Sequence, residues 1–86
     1  MENNPHFTAS FSREAVGFLF SLGKRNQNRV LDIADRIAEW PEGISDLVLT
    51  DAKGRSVHSV LVDEFLFSYY VDHAIKEILI TEVVQV

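Results

Sequence analysis

The 86 residues include no cysteine, which removes both a disulfide framework and a thiolate metal site. The three histidines, His6, His58 and His73, are too scattered for a zinc site, so neither a metal nor a cofactor is expected. No run approaches the roughly 20 apolar residues of a membrane span. The opening MENNPHF has neither the cationic nor the apolar region of a signal peptide, and a cytoplasmic protein without a membrane partner is expected. Cations are scarce too. Residues 30–86 hold four against eleven acids, whereas residues 13–29 hold Arg13, Lys24, Arg25 and Arg29 against Glu14 alone. With a net charge of −5, a general phosphate-binding surface is disfavoured, because neutralising several phosphates takes clustered cations. Lys24, Arg25 and Arg29 read as a solvated turn between helices or, at most, as weak phosphate contacts.

What the chain does have is apolar residues, 47% of the total, in a length that allows one domain, residues 1–86. Such a short chain buries only roughly 60–65% of its unfolded surface, so the core must use most of them. HFTASF alternates, with Phe7, Ala9 and Phe11 on one side, as in a half-buried strand. Ser12 then offers a helix N-cap, Glu14 suits the first turn, and Gly23 is the natural stop. Between them Ala15, Phe18, Leu19 and Leu22 form the core stripe. Val16 and Phe20 lie together on its flank, where Phe20 either reaches the edge of the core or meets a partner.

A second helix is expected from residue 26 or 28 to Trp40, with Val30, Ile33, Ala34, Ile37 and Trp40 on one face. Asp32 and Arg36 stand on the other as an i,i+4 pair, and Pro41 ends the helix. After residue 45 the period falls from 3.6 to 2. DLVLT, RSVHSVLV, FLFSYYV and KEILITEVVQV read as strands, joined at DAKG, where Gly54 can take positive φ, at Asp63-Glu64 and at DHA. The fold class is α+β: β-α-α-β-β-β(-β), two layers, a helical hairpin on one face of a mainly antiparallel sheet.

In such a fold one sheet face meets the helices and the other meets solvent. Phe65, Phe67, Tyr69 and Val71 suit the helix side. Pairing across Asp63-Glu64 sets Val62 opposite Phe65 and Leu61 opposite Leu66. The open face then reads Val57, Ser59, Leu61, Leu66, Ser68, Tyr70, with Arg55 the lone charge at its rim. Exposed apolar patches on small soluble proteins mark interaction surfaces; the alternative is that the last strand or tail folds over this one. His58 falls on the helix-facing side, as a core histidine rather than a general base. Lys53 and Arg55 flank the Gly54 turn as solvated cations or weak phosphate contacts, and Tyr70 is an exposed tyrosine or a stacking surface.

A strand, SREA followed by spaced leucines, an amphipathic helix ending in proline, then a meander carrying F-x-F-x-Y-x-V-D: over residues 6–82 this order resembles the RelE/ParE toxin superfamily of bacterial toxin–antitoxin systems. Its members arrest growth by cutting mRNA in the ribosome or by poisoning DNA gyrase, and an antitoxin chain blocks them. The resemblance implies an antitoxin-like partner. It places Leu61 and Leu66 where RNA-cleaving members carry arginines, and Val57 and Ser59 where they carry lysines. Their aromatic and tyrosine positions fall on Phe65 and Tyr69, and their basic tail would begin near Gln85 and Val86. No catalytic residue is therefore expected, and the scaffold reads as one turned to binding an antitoxin-like protein or a second copy of itself. The partner-binding residues would be Val16, Phe20, Val57, Leu61, Leu66 and Tyr70. The competing readings are a gyrase-directed toxin, which needs no catalytic cations, and a ribosome-dependent ribonuclease using Lys53, Arg55 and Tyr70.

Overall fold

The alternating N-terminal segment becomes a strand, β1 (Thr8–Phe11), in the computed structural model, which describes residues 7–86. His6, at the start of the expected strand, lies outside the described residues. Helices α1 (Arg13–Ser21), α2 (Lys24–Glu39) and the single turn α3 (Pro41–Ile44) follow. Strands β2 (Leu47–Thr50), β3 (Ser56–Val62), β4 (Phe65–Asp72) and β5 (Glu77–Gln85) complete the chain. The sheet order is β1-β5-β4-β3-β2. β1 runs parallel to β5 and the other neighbours are antiparallel. The architecture is the expected α+β sandwich of two layers, with the helices on one sheet face.

Ser12 caps α1 as its residue type suggests. Its hydroxyl accepts the amide of Ala15 at 3.2 Å and donates to the Thr81 carbonyl at 2.9 Å, so the cap also ties the helix to β5. Gly23 is not the stop. α1 ends at Ser21, Leu22 is already extended, and Gly23 at φ −67° is the N-cap of α2. Lys24 and Arg25 therefore occupy the first turn of α2 rather than a connecting loop, with no acid beside them. The helix can start this early because Gln27 takes over the end of α1, its side-chain amide donating to the Leu22 carbonyl at 2.9 Å.

Val30, Ile33, Ala34, Ile37 and Ala38 form the buried stripe of α2, but Trp40 does not continue it and is 70% exposed. A residue preceding proline is pushed out of the helical region. Trp40 accordingly sits at φ −153°, ψ 65° as the C-cap, and its ring lies over Gly43 in the space a β-carbon would fill. Asp32 and Arg36 are not within ion-pair distance of each other. Both are exposed, where such a pair contributes little.

The sheet has the expected register, Val62 opposite Phe65 and Leu61 opposite Leu66. Asp63 at φ 57°, Gly54 at φ 84° and Lys76 at φ 55° turn the three hairpins. Val60, Phe65, Phe67, Tyr69, Ile78, Ile80 and Val83 meet the helices as the core. Strict alternation would have sent Glu82 inward. A bulge prevents this: Ser68 pairs with Glu82 and Tyr69 with Ile80, leaving Thr81 as the extra residue. Beyond it Val83 faces the helices while Glu82 and Val84 face outward.

Candidate contact face and the cation at its rim

The open face is built from the residues that alternate with the core. Leu61 is 50% exposed, its cross-strand neighbour Leu66 is half-buried, and Val84 opposite Leu66 is exposed as well. Val57 is half-buried opposite exposed Leu49, and half-buried Tyr70 stands opposite Leu79. Leu47, Leu49, Leu79 and Val84 widen the patch beyond what the sequence pattern of β3 and β4 alone indicates. β5 does not fold over it. It pairs edge to edge with β4 and adds its own exposed apolar residues, together with Glu77 and Glu82, so with Asp72 of β4 the face carries three acids and Arg55 is not its lone charge.

Val16 is half-buried and Phe20 is 72% exposed, so Phe20 does not reach the core. Both belong to α1 and lie in the helix layer, on the other side of the sheet from Leu61, Leu66, Val57 and Tyr70. The six candidate contact residues thus form two surfaces rather than one.

Arg55 is exposed, as expected of a turn cation, but it is not free. Its Nε donates to Asp51 at 3.0 Å and its Nη2 to the Tyr70 hydroxyl at 3.1 Å, while the guanidinium lies 4.2 Å from the centre of the Tyr70 ring. Asp51 in turn accepts the backbone amides of Arg55 at 2.8 Å and Lys53 at 2.9 Å, and the Tyr70 hydroxyl at 2.8 Å. The Arg55 amide, followed by the Tyr70 hydroxyl, holds the Asp51 carboxyl well below the usual carboxylate range. Donation to Asp51 pushes the Tyr70 hydroxyl above its ordinary value. At neutral pH Tyr70 is a tethered proton donor, not a base, and Arg55 is paired within its own hairpin. An aspartate four residues before an arginine around a glycine turn was the sequence signal for this clamp.

Several other polar groups are also engaged. His58 is buried, 3.3 Å from the Ser45 hydroxyl through Nδ1 and stacked on Tyr69 at 5.4 Å. The Tyr69 hydroxyl donates to the buried Pro41 carbonyl, and burial pushes it up to about 12. Asp63 and Glu64 both reach the Arg29 guanidinium, at 3.0 and 4.0 Å. Arg29 is thus a strut between α2 and the β3–β4 turn, while Lys24, Arg25 and Lys53 are exposed. An open depression of about 630 Å³ at the ends of β3 and β4 includes Arg55, His58, Tyr70 and His73 in its wall. His73 is taken up by Glu42 at 3.0 Å. Among the described residues no group of three or more histidines or acids could hold a metal ion, and no helix is long and apolar enough to cross a membrane.

No protein-family model and no curated protein sequence matches the chain. Solved structures do. A RelE toxin chain of the RelBE2 toxin–antitoxin complex from Mycobacterium tuberculosis superposes with a TM-score of 0.81 at 18% identity, covering 94% of this chain and 99% of that one. The corresponding chain of the archaeal RelE–RelB complex from Pyrococcus horikoshii gives 0.69 at 20% identity, over 93% and 94%. That of the E. coli RelBE complex gives 0.69 at 13%, over 93% and 96%. The chain shares the fold of these RelE chains.

Proposed function

We propose that this protein is a RelE-like component of a toxin–antitoxin type system that acts by binding protein through its open sheet face, not by cleaving RNA. One observation carries the reading. Where catalysis on RNA would need several positioned cations to stabilise developing charge, this face presents Leu61, Leu66 and Val84, and its one arginine is at the rim, paired with Asp51. Burying such side chains drives association at roughly 25 cal/mol per Å² before the entropic costs of binding. The partner is an antitoxin-like chain, as in the complexes that contain the similar folds, and the setting is the cytoplasm.

The test is inducible expression in a bacterial host, following growth, mRNA integrity and DNA supercoiling, together with affinity capture of an encoded partner by wild type and Leu66→Arg. Unaffected growth, with capture lost in the variant, supports the reading. Arrest with cleaved mRNA overturns it, and arrest with DNA damage and intact mRNA replaces it with a gyrase-directed toxin.

A further inference from the structure

The charges on the open face indicate what kind of segment covers it, an inference that rests on reading that face as a contact surface. Along the β4–β5 ladder its rows alternate. Asp72 stands opposite Glu77, Tyr70 opposite Leu79, Ser68 opposite Glu82, and Leu66 opposite Val84. Acid-bearing rows thus take turns with apolar rows, two residues or roughly 7 Å apart.

Like charges placed directly opposite each other destabilise a strand pair, and here no cation offsets them. None of Asp72, Glu77 and Glu82 has an ion-pair partner among the described residues. Lys76, next in sequence to Glu77, is turned over the Phe7 ring at 5.2 Å, and Phe7 packs against the core on the helix side. Arg55 is held by Asp51. Asp72 has a local use, accepting the amides of Ala74 and Ile75 to close the hairpin. Glu77 and Glu82 have no side-chain hydrogen bond of that kind.

We propose that the open face takes an amphipathic protein segment rich in lysine and arginine. Its apolar side chains sit on the Leu66/Val84 and Tyr70/Leu79 rows, and its cations meet Asp72, Glu77 and Glu82. The apolar rows provide the buried area and the acids choose the partner's sign, because like-charge juxtaposition across an interface is what rejects wrong partners. The same carboxylates repel a phosphate backbone and an anionic lipid surface, so neither nucleic acid nor membrane suits this face.

The experiment is selection of a displayed library of random 16-residue peptides on the full chain, repeated on Leu66→Arg and on Glu77→Lys/Glu82→Lys, with circular dichroism and thermal melts to verify that each variant is folded. The expected peptides carry an excess of lysine and arginine between spaced apolar residues. They bind on the order of tenfold more weakly to the double charge reversal, lose affinity with added salt, and are not retained by Leu66→Arg. Neutral or acidic peptides that are likewise lost on Leu66→Arg overturn the cationic partner and leave the contact face standing. Peptides indifferent to Leu66→Arg overturn the contact face itself. Failure to enrich any peptide counts against both.

Discussion

Strand β4 presents two faces built from interleaved residues of one segment. Phe65, Phe67 and Tyr69 are completely buried, while their neighbours Leu66, Ser68 and Tyr70 stay partly in solvent. Local apolarity does not separate the two sets, since Leu66 is as apolar as Phe67. The difference is what lies above them: α1 and α2 cover one face, and the described residues leave the other open. Burial is thus a property of the layer arrangement, and an apolar residue on the uncovered face retains surface that a partner can bury.

The comparison breaks most sharply at Phe67. Phe67→Ala should cost about 3–5 kcal/mol, a large share of the stability of a domain this size, measured as a drop in the urea midpoint. Tyr69→Phe keeps the ring but leaves the buried Pro41 carbonyl without its donor. It should cost about 1–3 kcal/mol by the same assay.

A pH titration separates the two tyrosines without changing the core. Tyr69 and Tyr70 are the only tyrosines, and both hydroxyls are raised in the folded chain, Tyr69 to about 12. Their stabilising contribution is fully present below the unfolded value of 10 and is lost as pH rises toward the folded values. Tyrosinate absorbance should therefore rise only above pH 10, and Tyr70→Phe should leave the single late step of Tyr69. A normal step at 10 in that variant would contradict burial of the Tyr69 hydroxyl. Asp51 has the opposite sign. Its depressed carboxyl supports the hairpin at neutral pH, and that contribution is lost progressively as pH falls below the ordinary carboxylate range, so Asp51→Asn should flatten the acid limb of the stability profile.

The smallest effect belongs to the open face. Leu66→Ala should change stability by about 1 kcal/mol or less while weakening association. A loss comparable to that of Phe67→Ala would show that the face is core after all.

Periodicity made the two faces legible early. The alternation in FLFSYYV and the Asp63-Glu64 turn were enough to set Leu61 against Leu66, and Ser12 and Gly54 announced a cap and a turn. Trp40 was misplaced because its helical spacing is correct, whereas its conformation is governed by the proline that follows. Gly23 was misread because a glycine between two helices serves as either a stop or a start, and Gln27 settled it from the next helix. The Thr81 bulge has no sign in ILITEVVQV, and without it Glu82 would have faced the core.

Composition and period, which act over neighbouring residues, therefore determined the element types, the α+β class and which residues of β3 and β4 fall on each sheet face. Long-range contacts decided the rest: β1 beside β5 in a parallel pairing, Arg55 closed onto Asp51 and Tyr70, and Asp72 opposite Glu77 with no cation between them. Each of these depends on which strand lies next to which, and strand neighbours are chosen by the closing of the whole sheet over the helices rather than by any local run of residues.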